Sequence, residues 1–562
     1  MMKKMQKVKK VAALSLAGLL SCSAFAACSP GDGNSKKSKL SIKVFNGGFG
    51  YAWLNELESK FEEKFENVSF EEGKTGVDIV VVPDDSLKDV HLEMEIGTER
   101  EDIYYTSTAD YVAFTDVNVA YDVTDIMTAN VYDEHGEVDL NEEGNGWKTQ
   151  NDYRSIADKI SFDATRNRLN VGTDEDPQYY VLPFEDTVAG FIVDWDLIVE
   201  HGWNDYDGID GMPATMKQFY NLLGRIRDKG YSGFVFTTSF QYARTIQPAV
   251  IAQIDGSDTY YDLFGDYTGQ YDFNGDGVFA EDGSEDITPN TAYKLIDTRG
   301  YEKSVEMGIE LFKKDEAGNT FYDSVMSDGI AVSAAQKRFL MSKNGSRRIA
   351  MLLEGEWWEN ESRLFFESMA KDNEEDGYGK REFRMMPIPT FDSKAAKPED
   401  QKYTLGTWSG GCVTVVNEKT VGDNPVKQKL AELWLQYQNS TEGLKCFTRH
   451  TGVTLPLDYT LEDDDLKELT PFAQNLYQLK RDPRVEIVYN GIAIQENNVY
   501  RASVKLDFAA KVGKSTYTDS LLENISAIMA TKGEKLTVAE YIAGMHANYD
   551  DPFKTAVFLP LD

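Results

Sequence analysis

The chain has 562 residues, which is enough for two or more domains. Its 94 acidic residues outnumber its 58 lysines and arginines and give a formal net charge of −36 at pH 7. Such a surface repels phosphate groups, so the composition excludes a nucleic-acid-binding protein and disfavours anionic ligands.

The N-terminus has the layout of a secretory signal. Five lysines between positions 3 and 10 precede an almost wholly apolar run, residues 11–25, and the small residues Ala26 and Ala27 follow it. The run is too short and too mixed for a membrane span of ~20 residues. The sequence therefore predicts that residues 1–27 are a signal peptide.

Cys28 follows the predicted cleavage site at once. Small residues before a cysteine resemble the lipobox of bacterial lipoproteins, and this resemblance implies lipidation of Cys28 as the mature N-terminus. Phe25 departs from the pattern, whose first position is usually leucine. The segment 19–22, which ends in Cys22, fits the letters better but leaves a very short apolar core. Residues 28–39 are polar and predict a flexible tether.

Strand and helix patterns alternate in the body of the chain. Residues 40–45 alternate apolar and polar side chains as a strand does, and a glycine-rich turn follows. Apolar residues then recur at helical spacing, with Trp53 on the apolar stripe, before strands at 77–82 and 102–105. This order predicts an α/β fold with a mostly parallel sheet. Further helices are predicted at 216–229, 291–314, 425–439 and 521–531, and further strands at 178–183, 189–193, 348–353 and 411–416.

An acidic, glycine-rich segment, residues 255–285, looks like an inserted loop. It contains the Asp-x-Asn-x-Asp-Gly spacing of an EF-hand-type calcium loop, starting at Asp272. The usual glutamate at the twelfth position is missing, and three later carboxylates could replace it: Glu281, Asp282 and Glu285. The alternative is an acidic turn without a metal. The sequence predicts a structural Ca²⁺ held by Asp272, Asn274, Asp276, the Val278 carbonyl and Glu281.

Other chemistry has little support in the sequence. Cys412 and Cys446 are most simply two buried thiols, although a single bridge between them stays open. The five histidines are scattered without metal-ligand pairing, and neither a nucleophile elbow nor a phosphate-binding glycine loop occurs. Two nearby carboxylates, Glu354 and Glu356, leave an extracellular, lipid-anchored glycoside hydrolase as an alternative.

Short motifs lie along the body in a fixed order. They are FNGGFGY at 45–51, YVLPF at 180–184, GFIVDW at 190–195, RIAMLLEGEW at 348–357, MPIP at 386–389, GTWSGG at 406–411, STEGLKC at 440–446 and TGVTLP at 451–456. Together they resemble the maltose-binding-protein-like, carbohydrate-type (family 1) solute-binding proteins of bacterial ABC importers. Each motif is short, so the resemblance rests on their order and spacing.

The resemblance implies a two-lobed α/β fold, the type II periplasmic-binding-protein-like fold, with hinge crossings and a cleft between the lobes. The first lobe would hold residues 40–182 and 390–450, and the second 183–389 and 451–562. Crossings are expected near 182–183, 387–389 and 451–456. The chain is longer than typical members, so the alignment stays open at 108–179 and 255–289.

A ligand between the lobes would be contacted from the carboxyl ends of strands. Trp357 is the leading residue for stacking on a sugar ring, because it follows an apolar strand and coincides with a ligand-stacking tryptophan of the family that the chain resembles. The alternative is a core tryptophan that fills a gap between the lobes. The other predicted ligand contacts are Gly48, Phe49, Asp110, Glu185, Asp186, Gln241, Tyr242, Trp408 and Ser409.

The function implied by the resemblance is that of a receptor without catalysis or catalytic cofactor. It would capture a neutral sugar or oligosaccharide and deliver it to the permease subunits of an ABC transporter. It would be a monomer, held at the extracellular face of the cell membrane by the lipid on Cys28, with no nucleic-acid partner.

Overall fold

The computed structural model describes the body of the chain in segments. Cys28, with the rest of residues 1–35, lies outside them. No helix among the described residues is both long and apolar enough to cross a membrane. The described residues are 36–85, 87, 90–106, 114–115, 117–130, 138–148, 154–161, 169–173, 175–184, 187–237, 242, 245–265, 268–288, 291–324, 330–391, 402–408, 412–489, 511–512, 515–516, 525–526, 529 and 536–556.

Strands and helices alternate through these segments. The strands are β1 (Ser38–Phe45), β2 (Val77–Asp84), β3 (Ile103–Tyr105), β4 (Val181–Pro183), β5 (Thr187–Asp194), β6 (Ser232–Val235), β7 (Ile349–Gly355), β8 (Phe383–Met386), β9 (Tyr403–Trp408), β10 (Val413–Val416), β11 (Val485–Val488), β12 (Lys511–Val512) and β13 (Ser515–Thr516). The helices are α1 (Ala52–Lys64), α2 (Val90–Ile96), α3 (Thr124–Thr128), α4 (Trp195–Glu200), α5 (Met216–Asp228), α6 (Ile246–Asp255), α7 (Ser257–Tyr260), α8 (Arg299–Phe312), α9 (Val332–Met341), α10 (Trp358–Glu361), α11 (Arg363–Ala370), α12 (Glu418–Val421), α13 (Pro425–Gln438), α14 (Thr441–Thr451), α15 (Asp463–Lys467), α16 (Pro471–Leu479) and α17 (Val538–Ala556).

Side-chain caps mark the start of several helices, although α1 begins without one. The Thr298 hydroxyl accepts a hydrogen bond from the Tyr301 backbone N–H at 3.3 Å and starts α8. The helix predicted at 291–314 is therefore two elements. A 3-10 turn covers Ala292–Asp297, and α8 begins after Thr298. Ser440 caps α14 in the same way through the N–H of Gly443, at 3.3 Å. Gly452 ends α14 with a φ of 75°, a left-handed conformation that favours glycine.

The first sheet has the strand order β2-β1-β3-β10-β4. Strand β1 runs parallel to β2 and β3, whereas β10 runs antiparallel to β3 and β4. Helix α1 joins β1 to β2 and buries Trp53, Leu54, Leu57 and Phe61. The apolar stripe predicted for this helix, with Trp53 in the core, is therefore confirmed.

The second sheet has the order β11-β9-β5-β7-β6, with β8 paired to β5. Strand β5 runs antiparallel to β7, β8 and β9, while β11 is parallel to β9 and β6 to β7. Every residue of β5 and β7 is buried, as expected for central strands covered on both faces. Both sheets are thus mixed, not mostly parallel, because β10 in the first sheet and β5 in the second run antiparallel to the strands beside them.

Each sheet has its own hydrophobic core. Around the first sheet, Ile42, Phe61 and Trp434 belong to one cluster of buried residues. Around the second sheet, Phe191 and Leu352 belong to another. Two sheets with separate cores form two lobes, and this confirms the predicted two-lobed α/β fold class.

The chain passes between the sheets three times, the last time between β10 of the first sheet and β11 of the second. It leaves the first sheet at the end of β4 and enters the second at β5, and it returns between β9 and β10. Strand β9 lies in the segment 390–450 predicted for the first lobe, yet it pairs with β5 and β11 of the second sheet. The Ile388 N–H donates to the Thr404 carbonyl at 2.8 Å. The chain therefore still belongs to the second sheet at residues 387–389, where a crossing was predicted. The full bounds of the two lobes stay a prediction.

Part of the predicted inserted loop is helical. Helix α6 continues to Asp255, α7 follows, and a π-helical turn covers Tyr261–Gly265. Tyr260, Leu263 and Phe264 are buried in the core of the second sheet. These apolar residues are few and lie among many acidic ones, so the sequence shows no helical periodicity here.

Candidate functional site

Trp357 lies where the two lobes meet. It follows Gly355, the last residue of β7, and its ring also contacts Gly48 in the turn after β1. A Cβ atom added to Gly355 would lie 2.4 Å from the indole, and one added to Gly48 would lie 2.3 Å from indole Cδ1. Because both positions are glycine, the Trp357 indole of the second lobe can pack against the first lobe.

Aromatic side chains surround this indole and form an interlobe aromatic cluster of Phe49, Phe184, Tyr242, Trp357 and Phe447. The ring centroids of Phe49 and Tyr242 lie 6.0 and 5.5 Å from that of Trp357, both edge to face. Phe49 also contacts Phe184 at 5.9 Å and Phe447 at 5.6 Å. Edge-to-face pairs at these distances contribute about 0.5–1.5 kcal/mol beyond their burial.

The cluster is closed in this conformation. Trp357 is 6% exposed. The Asn360 side-chain amide donates to the Gly48 carbonyl at 2.8 Å and joins the lobes at the same point. A sugar ring therefore reaches the face of the indole only when the Gly48 turn moves away, as in hinge opening. The stacking role of Trp357 and its core alternative both stay predictions.

The structure brings together four of the predicted ligand contacts: Gly48, Phe49, Tyr242 and Trp357. Trp408 ends β9 and pairs with Thr187 through its backbone, and its side chain is not among those described. The remaining predicted contacts lie outside the described residues: Asp110, Glu185, Asp186, Gln241 and Ser409.

Glu356, one of the two acids considered as a catalytic pair, is buried in an ion pair. It is 2% exposed, and the Lys480 Nζ lies 3.2 Å from each of its carboxylate oxygens. Lys480 also donates to the Thr454 hydroxyl at 3.0 Å. Burial raises the pKa of the Glu356 carboxyl, although Lys480 opposes the rise. Sequence reasoning missed Lys480, because no local pattern pairs residues 124 positions apart.

Glu354, the other acid of that pair, links the aromatic cluster to a buried polar network. It is 1% exposed, accepts from the Gly355 N–H at 3.0 Å and is hydrogen-bonded by the Tyr242 side chain. Gln336 lies between Glu354 and Glu361, and its amide donates to Glu361 at 2.6 Å. Burial, reinforced by the charge of Glu361, raises the pKa of Glu354 well above its usual range. No sequence pattern pointed to Gln336 or Glu361.

Glu359, on α10, is a third buried acid of this region. The Thr470 hydroxyl donates to its Oε2, while its Oε1 has no hydrogen-bond partner among the described residues. Burial raises the pKa of Glu359 to about 7, against the opposing effects of Thr470 and Arg363. The folded chain therefore keeps this carboxyl protonated in mildly acidic solution, where an ordinary glutamate is already ionised.

Glu359→Gln should change how stability depends on pH. The folded chain holds a proton that the unfolded chain releases, from the ordinary pKa of 4.5 up to about 7, so the wild type loses stability as the pH rises through that window. The full loss is of the order of 3 kcal/mol. Glutamine cannot ionise and avoids it. The free energy of unfolding of the variant, relative to that of the wild type, should be higher at about pH 8 than at about pH 5 when measured in urea. The same difference at both pH values would contradict this.

The predicted calcium loop is folded into a tight acidic turn. The Asp272 carboxylate accepts from the N–H groups of Gly275 and Gly277 at 2.6 and 2.8 Å, and Asp276 accepts from Val278 at 2.8 Å. These bonds fit a calcium loop and an acidic turn without metal equally well. Glu281, predicted to close the loop, is exposed, whereas Glu285 is 5% exposed and accepts from the Ala280 N–H at 2.7 Å. Calcium binding stays a prediction.

Ca²⁺ should raise the melting midpoint of chelator-treated protein, because binding to the folded chain alone stabilises it. Asp276→Ala should remove this shift. Asp315→Ala is the matched control, since Asp315 accepts from the N–H groups of Ala317 and Asn319 in a similar exposed turn that lacks the calcium spacing. If Ca²⁺ leaves the wild-type midpoint unchanged, the loop is an acidic turn only.

The same fold occurs in solved structures of other proteins. A probable secreted solute-binding lipoprotein from Streptomyces coelicolor matches with a TM-score of 0.53 and 14% identity, over 92% of this chain and 99% of that one. A chitin oligosaccharide binding protein matches with a TM-score of 0.53 and 13% identity, over 93% and 100%. The apo form of RafE from Streptococcus pneumoniae matches with a TM-score of 0.50 and 13% identity, over 93% and 100%.

No protein-family model matches the sequence, and no curated protein matches it. At identities this low, the structural likeness establishes the fold and nothing finer. It covers more than nine-tenths of the chain, and it confirms the fold that the sequence motifs predict.

Proposed function

We propose that this chain, which has the fold of two-lobed solute-binding proteins, is the extracellular receptor of an ABC importer and captures a neutral sugar or oligosaccharide between its lobes. The observation that carries the proposal is the seating of Trp357 of one lobe against Gly48 and Phe49 of the other. A ligand that enters at this junction is enclosed from both sides when the hinge closes.

The chemistry of the junction favours a neutral sugar. Aromatic rings offer flat apolar faces to the C–H-rich side of a pyranose, and Phe49, Tyr242 and Trp357 supply them. The net charge of −36 disfavours anions. Among the proteins that share the fold, RafE has been solved with raffinose and another is named for chitin oligosaccharides, which supports the same class of ligand.

Binding without catalysis fits the acids better than hydrolysis does. A glycosidase needs two carboxyl groups that reach the scissile bond and a water molecule. Glu354 and Glu356 are instead buried and held by Tyr242 and Lys480. We therefore propose a receptor in place of the glycoside hydrolase.

A thermal-shift screen tests this function. The probes are neutral di- and trisaccharides, each beside a counterpart that carries a uronic acid. At least one neutral sugar should raise the melting midpoint by mass action, its uronic counterpart should not, and no reducing sugar should be released on long incubation. Release of reducing sugar, or a response to the acidic sugars alone, would contradict the proposal.

We further infer that the mature chain begins at Cys28, carries lipid there, and acts as a monomer that hands its ligand to the permease. Cys28→Ala should release the protein from cell membranes into the medium, whereas Cys22→Ala should leave it attached. Intact mass of the membrane-extracted wild type should show a lipidated Cys28. An anchored Cys28→Ala protein would contradict the assignment.

A further inference from the structure

A second cluster of chemistry-bearing side chains lies on the first lobe, away from Trp357. Glu56 projects from α1, and Cys446 and His450 project from α14. His450 lies four positions after Cys446, so the two share one face of the helix. One ligand atom from each of the three residues lies within 4.8 Å of the other two. No local pattern brings these three residues together, because Glu56 lies almost 400 positions from His450.

Thiolate sulfur, imidazole nitrogen and carboxylate oxygen are the donors that Zn²⁺ takes in proteins, at about 2.0–2.3 Å from the metal. The Glu56 Oε2 and His450 Nε2 atoms are 2.8 Å apart and would separate by a fraction of an ångström around an ion. Cys446 is buried, whereas the side chains of Glu56 and His450 are about one-third exposed. The cluster thus offers three ligands and a side open to solvent, where a water molecule would complete a tetrahedron around Zn²⁺.

The two carboxylate oxygens of Glu56 have different partners. Lys60 lies 2.9 Å from Oε1, and Arg449 donates to the same oxygen, which leaves Oε2 facing His450. Groups that orient a ligand in this way are usual around zinc. The positive charges of Lys60 and Arg449 would repel a divalent cation. Glu442 lies 3.6 Å from Lys60 and Glu468 lies 3.6 Å from Arg449, and these carboxylates partly neutralise the two charges.

Cys446 must lose its proton to act as a ligand. Burial raises the pKa of its thiol to about 12, and the charge of Glu56 adds to the rise. A metal ion deprotonates a coordinating thiol outright, so binding places the Cys446 sulfur on the ion and releases one proton to solvent. The net charge of −36 favours the approach of the cation.

We propose that Glu56, Cys446 and His450 form a zinc site that clamps α1 to α14. The clamp lies beside the interlobe aromatic cluster. The Cys446 thiol approaches the Trp53 carbonyl at 3.8 Å, and the next residue, Phe447, packs on Phe49. The site stands on its own geometry and does not depend on the ligand proposed for the cleft.

Co²⁺ binding to the chelator-stripped full chain tests the site, because a cobalt–thiolate bond gives a charge-transfer absorption band. The wild type should show the band and bind one Zn²⁺ in competition with a chromophoric chelator. Cys446→Ser should lose the band, and His450→Gln should weaken zinc binding at least about tenfold. Cys412→Ser and His91→Gln, a second buried thiol and a histidine on α2, are the matched controls and should bind as the wild type does.

If Cys446→Ser does not fold, His450→Gln still tests the zinc site. His450 is partly exposed, so its replacement should not prevent folding. Absence of the band in the wild type, or the same band and the same zinc affinity in His450→Gln, would overturn the proposal. A band that disappears in Cys412→Ser instead would also overturn it.

Discussion

Trp357→Ala should weaken the binding of the cognate sugar by about tenfold or more. Stacking on an aromatic face contributes ~1–3 kcal/mol when measured by alanine replacement of rings that stack on bases, and a sugar face should be similar. The indole also holds the closed junction through Gly48 and Phe49, so its loss removes part of the contact that the lobes make on closure. Calorimetric titration of both proteins with the sugar identified by the thermal-shift screen measures the effect.

The neighbouring tryptophan supplies the control. Trp358 is fully buried in the core of the second lobe, where it contacts Phe339, Phe383 and Phe472. Trp358→Ala should cost about 3–5 kcal/mol of stability. Trp357→Ala should cost less, because the Trp357 ring lies where the two lobes meet and is 6% exposed, whereas the Trp358 ring is fully buried. Unchanged sugar affinity in Trp357→Ala, or a loss of stability equal to that of Trp358→Ala, would show that Trp357 is a core residue.

Lys480→Met should destabilise the fold by about 3–5 kcal/mol, because it leaves the Glu356 carboxylate buried without its cation. Burial already raises the pKa of Glu356, so the remaining relief is uptake of a proton. The loss of stability should therefore be larger at about pH 8 than at about pH 5. Urea unfolding at the two pH values measures it.

Two further variants separate the buried charge from the loss of a lysine. The double variant Glu356→Gln, Lys480→Met buries no charge and should recover most of the lost stability. Lys467→Met removes an exposed lysine that pairs with Asp464 and should cost less than ~1 kcal/mol. A double variant no more stable than Lys480→Met would contradict this explanation.

The sequence was informative where local pattern decides structure. The alternation in residues 40–45 and the apolar stripe that contains Trp53 correspond to β1 and α1. The glycines beside Trp357 could also be anticipated, since Gly48 and Gly355 both stand in the short motifs that carry the family resemblance. Local sequence places Gly48 in the turn after β1 and Gly355 at the end of β7, whereas only the family resemblance implied that the two positions meet.

The sequence was uninformative where distant segments decide structure. Nothing local in residues 403–408 tells a strand of one sheet from a strand of the other, and the pairing with β5 and β11 settles it. Lys480 joins Glu356 only in the folded chain, and Glu56 meets Cys446 and His450 only when α1 packs on α14. Charged and polar partners that lie far apart in the chain leave no periodic trace.

Calorimetric titration of the wild type with the neutral oligosaccharide found by the screen tests the central claim most directly. The receptor account predicts that one sugar binds per chain and that the sugar is recovered intact after prolonged incubation. Failure of every neutral sugar to bind, or recovery of cleaved sugar, would contradict it.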